Sequence, residues 1–402
     1  MSDGNSSFLP HPDNATANPK TAIYNNPFRI IFSPILMRKG LLYIAVLGLA
    51  VALSGCGKKE ELPSDIQQSE SATIDEKENT GESVSYLTGL PISEEVKNIR
   101  PLAVMLNNKE EGCPQSGIAD AAIVYEAPVE GRITRLMALY DDYRNLEKVG
   151  SIRSSRDYFV YCAKEYDAIY AHFGQATPYV GDLLNSDKVD NISGAVAGIK
   201  HPATNTFYRS TDRKAPHNVY LTSEKLQKDI DKFKYRTQLK DDYVAKFQFG
   251  EGPTESNLIY AEDATTLYPG GKTSDRPNGF SYVEARFEYN EKDGLYYRYQ
   301  YGDKHIDELT GEQLAYDNVI FQYCHGEVRD KEDYLAFGCH GNEQRMVRVF
   351  TQGKMIPGIW SRMDDNSPAT YVDYYGNPIV LSPGKTWICI IWDEFRDDVV
   401  YE

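Results

Sequence analysis

The sequence predicts an α/β domain, with a mixed sheet and helices, followed by a mostly antiparallel β domain. Over residues 86–247, short apolar segments alternate with helical patterns, which favours a mixed sheet covered by helices. Over residues 250–402, nearly every apolar segment is strand-like and lies between glycine-containing turns, which is typical of antiparallel sheets. The two predicted domains therefore meet between residues 247 and 250.

The first predicted domain interleaves strands and helices. Its strands are expected at 101–106, 121–127, 133–140, 148–152 and 167–173. The second and third strands form a hairpin around 128–131. Helices are expected to begin at Ser154 (with Asp157 in a variant capping box), after Thr177-Pro178, and at Thr222 or Ser223.

The second predicted domain consists of strands separated by turns. The clearest strands are expected at 282–289, 295–301, 318–323, 346–350, 355–360 and 386–392. The pairs Asp293-Gly294, Gln352-Gly353 and Pro383-Gly384 mark turns between them.

The N-terminal segment has the features of a lipoprotein signal peptide, which we assign to residues 1–56 with its extension. Arg38-Lys39 precede an apolar run that ends in Leu53-Ser54-Gly55-Cys56. The run is too short for a membrane span, which needs roughly 20 residues. We expect Cys56 to carry a diacylglycerol with palmitate-type chains and to hold the protein on the outer, extracytoplasmic face of the cell membrane.

The residues on either side of this signal are polar. Translation is expected to begin at Met37, and the alternative is a cytoplasmic tail formed by residues 1–36. Residues 57–85 are mostly acidic, basic or small and polar, and they predict a disordered acidic tether.

The overall charge limits the partners. The net charge is −16 at pH 7, which argues against nucleic acid as a partner because nucleic-acid binding needs a basic face.

The sequence contains no cofactor motif and no metal-ligand spacing, although the pairs Cys324-His325 and Cys339-His340 raise the question of a zinc site. A disulfide between Cys324 and Cys339, or two buried thiols, are the interpretations we prefer.

The predicted hairpin carries the first candidate site. If Ala127 faces Arg132, then Glu126 and Arg135 lie on one face as diagonal neighbours. Glu130 lies in the loop between the strands. The pair of Glu126 and Arg135 is interpreted either as a structural salt bridge or as the floor of a polar pocket.

The segment Arg153-Ser154-Ser155-Arg156 is the second candidate site. A helix N-terminus with two arginines favours an anion, since guanidinium groups match phosphate and carboxylate. In the alternative, these arginines pair with Asp157 or with the hairpin glutamates. His172, at the end of a strand, and the loop residues Arg213, His217 and Asn218 complete the candidate ligand-binding set.

Several segments carry a family resemblance. They are Arg100–Met105, Pro114–Gly117, Ala122–Glu126, Glu130–Arg135, Arg153–Arg156, Asp167–His172, Ala215–Asn218 and Pro383–Ile388. Together they resemble the YerB-like lipoproteins of Gram-positive bacteria over residues 86–402. The resemblance implies a lipid anchor, a domain of unknown function and a smaller C-terminal β domain, and it implies no reaction.

The sequence departs from that family pattern at three places. Arg132 stands where the family usually has a second glycine, Asp157 stands near a position where the family tends to have an aromatic residue or proline, and Gly358-Ile359-Trp360 breaks the usual strand pattern. A fainter likeness, in layout only, is to the LytR–CpsA–Psr phosphotransferases, which hold a polyprenyl pyrophosphate and attach glycopolymers to the cell wall.

Two functions follow as hypotheses. The first is an envelope accessory lipoprotein that binds an anionic glycan or a polyprenyl phosphate, with unidentified protein partners. The second is an envelope phosphotransferase or hydrolase acting on such a substrate, with Glu126 or Glu130 and His172 or His217 in acid–base roles. The absence of a recognisable nucleophile motif or phosphate loop favours binding. An enzyme requires a histidine and a carboxylate within hydrogen-bond reach beside the arginines.

Overall fold

A computed structural model describes residues 83–273 and 276–402. The predicted signal, Cys56 and most of the predicted tether lie outside the described residues. Within the described ranges, no helix combines the length and the apolar character that crossing a membrane requires.

The first half of the described chain contains ten strands and three helices. The strands are β1 (Ser83–Val84), β2 (Pro91–Ile92), β3 (Leu102–Leu106), β4 (Ile123–Val129), β5 (Ile133–Tyr140), β6 (Val149–Gly150), β7 (Ile169–Phe173), β8 (Asn191–Gly194), β9 (Phe207–Arg209) and β10 (Val219–Leu221). The helices are α1 (Asp157–Lys164), α2 (Thr177–Asn185) and α3 (Ser223–Phe233).

The second half consists mainly of strands. They are β11 (Gln248–Phe249), β12 (Glu262–Asp263), β13 (Thr266–Tyr268), β14 (Arg286–Asn290), β15 (Leu295–Gln300), β16 (Asp303–Lys304), β17 (Ala315–Tyr316), β18 (Asn318–Cys324), β19 (Gly326–Val328), β20 (Leu335–Phe337), β21 (Glu343–Thr351), β22 (Lys354–Arg362), β23 (Thr370–Asp373), β24 (Val380–Leu381), β25 (Thr386–Trp392) and β26 (Val400–Tyr401). Two short helices are α4 (Glu255–Leu258) and α5 (Gly279–Tyr282).

One 11-stranded sheet runs through both halves of the described chain. Its order is β12-β22-β21-β18-β25-β4-β5-β3-β7-β8, with β23 paired to β22. Strand β25 is parallel to both β18 and β4 and joins the two halves. The fold is therefore mixed and mostly β, with antiparallel pairing dominant after residue 250 and parallel pairing at β3-β7-β8.

The core lies on both faces of this sheet because successive side chains of a strand point to opposite faces. In β3, Leu102, Val104 and Leu106 belong to one buried cluster. Ala103 and Met105 belong to the other. The central strands are thus buried on both sides, as their continuous apolar sequences require.

The register of the β4–β5 hairpin differs from the expected one. Ala127 lies opposite Arg135, and Glu126 lies opposite Leu136. The expected pairing of Ala127 with Arg132 is wrong by three positions. Because an odd shift moves every side chain to the other face, Glu126 and Arg135 lie on opposite faces of the sheet.

The reason for this error is the position of the turn. Pro128 and Val129 continue strand β4 instead of leaving it. The turn begins two residues later than predicted and passes through Gly131 and Arg132, whose φ angles are 77° and 57°. Arg132 thus adopts the left-handed conformation that glycine prefers.

Helix starts were predicted with mixed success. Thr222 caps α3 near the expected start, and its side chain accepts a hydrogen bond from the backbone nitrogen of Lys225 at 3.3 Å. The predicted cap at Ser154 is wrong, because α1 begins at Asp157 after the extended residue Arg156, which makes no side-chain capping bond. The strand expected at 282–289 begins only at Arg286, as β14, because α5 ends at Tyr282.

Candidate functional site

Glu126 is the centre of a buried polar network. Its carboxylate accepts hydrogen bonds from Arg298 Nη2 at 3.0 Å, Trp387 Nε1 at 3.0 Å and Thr134 Oγ1 at 2.7 Å. Asn108 Nδ2 adds a fourth bond at 3.3 Å. The expected contact with Arg135 is absent, because Glu126 faces the second half of the chain.

A chain of hydrogen bonds leads from this network towards the loop that carries His217. Gln115 Nε2 donates to Asn108 Oδ1 at 3.1 Å and to the backbone oxygen of Asn107 at 2.7 Å. The Asn107 side chain in turn lies 2.8 Å from His217 Nδ1. Glu126 and His217 are thus joined by intermediate residues, although they do not touch.

Arg135 and Arg153 are the two candidate arginines whose positive charges have no carboxylate partner among the described residues. Arg135 is 4% exposed, and its Nη1 donates to the backbone oxygen of Ser154 at 2.9 Å. Arg153 Nη1 reaches only the backbone oxygen of Pro216, at 3.5 Å. Within the described residues, neither Nε atom has a hydrogen-bond partner and neither arginine pairs with a carboxylate.

The electrostatics of these two arginines follow from their surroundings. Burial lowers the pKa of Arg153 to about 10, and the neighbouring positive charge of Arg135 contributes to this shift. Burial also lowers the pKa of Arg135. Guanidinium groups form strong, often bidentate hydrogen bonds with phosphate and carboxylate, so an anion is a suitable partner for these two arginines.

Two other predicted arginines already have anionic partners. Arg156 forms an ion pair with Glu130, with Nε 3.0 Å from Oε2, and it also donates to the backbone oxygen of Ser155. Arg213 donates to two backbone oxygens and lies 3.4 Å from Glu308. The alternative that hairpin glutamates pair with the helix-start arginines therefore holds for Arg156.

The two predicted histidines occupy different environments. His172 is fully buried, between the backbone oxygen of Gly174 at 2.7 Å and Ser193 Oγ at 2.6 Å. Burial lowers the pKa of His172 to about 4. His217 is partly exposed, and burial followed by the charge of Arg153 lowers its pKa.

Asn218 has a structural role beside this loop. Its Oδ1 accepts from Arg209 Nη1 at 2.7 Å, and its Nδ2 donates to the backbone oxygen of Ser210 at 2.9 Å. It therefore holds the two sides of the loop together.

The predicted residues thus separate into groups. Arg153 contacts the loop of His217, and Arg135 contacts Ser154. In the part of the chain that the structure describes, His172 bonds to Gly174 and Ser193 and His217 bonds to Asn107, and neither histidine bonds to a carboxylate. Nor do three His, Cys, Asp or Glu side chains converge there to hold a metal ion.

Sequence reasoning missed the partners of Glu126. Arg298 and Trp387 lie in strands that are distant in sequence, and no local pattern signals their approach. Asn107 and Asn108 follow β3 directly, and polar residues at the carboxyl end of a buried strand were a usable signal.

The cysteines of the described chain are all unbonded. Cys324 and Cys339 are both fully buried, and no disulfide joins them in this structure. The sulfur atoms of Cys339 and Cys162 lie 3.9 Å apart.

Two family models match the chain in sequence order. Residues 87–236 match the "Protein of unknown function (DUF3048) N-terminal domain", and residues 278–388 match the corresponding C-terminal domain. The relative named "Putative lipoprotein YerB", from Bacillus subtilis (strain 168), is 26% identical over 357 residues, which are 89% of this chain and 96% of the relative. The chain belongs to the YerB-like family.

A solved structure supports this assignment. The crystal structure of the YerB protein from Bacillus subtilis superposes with a TM-score of 0.65 and 26% identity. The match covers 79% of this chain and 99% of the solved one. The YerB-like family thus accounts for the fold of both halves, and its relative carries the name of a lipoprotein, the protein class that the Cys56 motif predicts.

Proposed function

We propose that this YerB-like protein is an extracytoplasmic lipoprotein, anchored through Cys56, that binds an anionic ligand of the cell envelope at Arg135 and Arg153. One observation carries the proposal. Two neighbouring guanidinium groups, one of them almost fully buried, have free Nε–H donors and no carboxylate partner among the described residues.

The energetic argument is that uncompensated buried charge is expensive. A charge removed from water is normally paired, and a lone buried charge costs several kcal/mol. The protein has a net charge of −16 and does not lack carboxylates. Because Arg156 and Arg213 pair with Glu130 and Glu308, the lack of such a partner at Arg135 and Arg153 favours an external anion.

The ligand class follows from the donor chemistry. Guanidinium groups bind phosphate and carboxylate through parallel hydrogen bonds. His217 and Asn107, which bond to each other beside Arg153, add polar atoms at the rim. A phosphorylated or carboxylated glycan, or a polyprenyl phosphate, offers such an anion in the envelope.

Binding without catalysis is the function that this geometry supports best. His172 lies buried between neutral partners, and His217 bonds to an amide. A phosphotransferase or hydrolase needs an acid or base next to the reacting group, and these contacts do not supply one.

The proposal is tested by thermal-shift titration of the detergent-solubilised protein with inorganic pyrophosphate, polyprenyl-phosphate mimics and muropeptides. A ligand that binds only the folded state raises the melting temperature. We expect a rise for the wild type and a much smaller one for Arg153→Gln. Arg144→Gln removes the same charge from an exposed arginine that pairs with Asp142, and it should behave as the wild type. Equal rises in all three proteins would refute the site.

A further inference from the structure

Two buried thiols from distant parts of the chain lie against each other. Cys162 belongs to α1, and Cys339 follows β20, 177 positions later in the sequence. Their sulfur atoms are 3.9 Å apart, and both residues are at most 1% exposed. The sulfur of Cys339 also lies 3.8 Å from the backbone oxygen of Tyr158, in the first turn of α1. It therefore faces this helix.

The third cysteine of this region is oriented differently. The sulfur of Cys324 contacts the backbone oxygen and the side-chain nitrogen of Gln322, each at 3.8 Å. Cys324 also interacts with Cys339, and the sulfur of Cys162 donates to the sulfur of Cys339 at 3.9 Å. The contact between Cys162 and Cys339 thus offers a pairing that differs from the pairing of Cys324 with Cys339 suggested by the sequence.

We propose that Cys162 and Cys339 are the two ends of a disulfide bond in the exported protein. Bonded sulfur atoms lie about 2.05 Å apart, so the two sulfur atoms, now 3.9 Å apart, must approach each other by about 2 Å for the bond to form. The environment outside the membrane permits such bonds. This inference uses the predicted export of the protein and is independent of anion binding at Arg135 and Arg153.

The reaction is a thiol–disulfide exchange with a small disulfide as the oxidant. One thiolate attacks the oxidant to form a mixed disulfide, and the second thiolate then displaces the remaining half. The S–H bonds of Cys162 and Cys339 break and one S–S bond forms. The two electrons and two protons released convert the oxidant into two thiols.

The bond is expected to form while the chain folds. Contact with Cys339 and burial raise the pKa of the Cys162 thiol well above its usual value. Thiolate is the reactive species, so exchange is slow once these groups are packed. Once formed, the bond would join α1 to the β20–β21 connection and restrict the unfolded chain, which stabilises the folded state.

The test uses the full protein isolated from the membranes of its own host. Free thiols are alkylated with N-ethylmaleimide in denaturant without a reductant, and the digested protein is analysed by mass spectrometry. The proposal expects a linked peptide pair that contains Cys162 and Cys339, with Cys113, Cys324 and Cys389 alkylated. Alkylation of both Cys162 and Cys339, or a link that uses Cys324 instead, overturns it.

A matched set of variants separates this bond from a general effect of cysteine removal. Cys162→Ala and Cys339→Ala should each abolish the linked pair and lower the melting temperature measured without reductant. Cys389→Ala removes an equally buried thiol from β25, and it should retain the linked pair. Reductant should lower the melting temperature of the wild type and of Cys389→Ala only. A reductant effect of equal size in Cys162→Ala contradicts the assignment.

Discussion

Glu126 and Arg298 form a fully buried ion pair across the two halves of the chain, with Arg298 Nη2 3.0 Å from Glu126 Oε2. Both side chains have no exposed surface. The Trp387 indole and the Phe287 ring pack against the Arg298 guanidinium, with ring centroids 5.2 Å and 5.0 Å from its central carbon. This interaction fixes β4 of the first half against β15 of the second.

Removing one partner of this pair should strongly destabilise the protein. Arg298→Met leaves the Glu126 carboxylate buried without its counter-charge, which costs about 3–5 kcal/mol of unfolding free energy. Urea unfolding measures the change. The control is Lys228→Met, since Lys228 pairs with Glu224 on an exposed helix face and such pairs contribute only about 0.3–0.5 kcal/mol. Similar losses in both variants would show that the buried pair has no special role.

The buried His172 predicts a pH dependence. Its pKa is about 4 in the folded protein and about 6.5 in the unfolded chain. The unfolded state therefore binds a proton between these values that the folded state does not, and stability falls as the pH drops from about 6.5 to about 4. By pH 5, this residue should reduce the unfolding free energy by about 2 kcal/mol.

The comparison of wild type with His172→Gln isolates this effect. Urea unfolding at pH 7 and at pH 5 should show a smaller pH-dependent loss in the variant, because glutamine does not titrate. A loss of the same size in both proteins would mean that His172 is already protonated, or is exposed, in the folded state.

Asp229 holds a loop against α3. Its carboxylate accepts hydrogen bonds from the backbone nitrogens of Thr204, Asn205 and Thr206. Burial alone would raise the pKa of Asp229, but the bonds from Asn205 and Thr206 outweigh it and lower the pKa to about 2. The stabilisation is present above pH 4 and is lost as the pH falls towards about 2.

Asp229→Asn should therefore cost roughly 3 kcal/mol at pH 7, since hydrogen bonds to charged groups contribute about 1.5–3 kcal/mol each. Asp231→Asn is the control, because Asp231 lies on the exposed face of the same helix and bonds only to Gln227 among the described side chains. Urea unfolding of both variants measures the two losses of unfolding free energy. A loss at Asp231 as large as that at Asp229 contradicts the assigned role.

Local patterns in the sequence were sufficient to predict many of the strands and helices. The apolar run at β5 and the cap at Thr222 are found where they were predicted. The register of the β4–β5 hairpin was predicted wrongly, because Pro128 inside a strand is unusual and because Arg132 adopts a glycine-like conformation. A turn placed a few residues early was enough to assign Glu126 to the wrong face.

The candidate site could be predicted only in part, for a related reason. The sequence identifies Arg135 and Arg153 as charged residues in strand-like or junction segments, but it does not show which of them are paired. Pairing depends on Glu130, Glu308 and Glu126, whose partners are set by tertiary packing. The two arginines that remain without a carboxylate partner among the described residues could be recognised only in three dimensions.

Calorimetric titration of the full protein with inorganic pyrophosphate at pH 7, in wild type, Arg153→Gln and Arg144→Gln, tests anion binding most directly. We predict that Arg153→Gln weakens binding at least about tenfold, since one charge-assisted hydrogen bond contributes about 1.5–3 kcal/mol and 1.4 kcal/mol is a factor of about ten. Arg144→Gln should bind as the wild type does. No binding to the wild type, or equal affinity in all three proteins, would contradict the account.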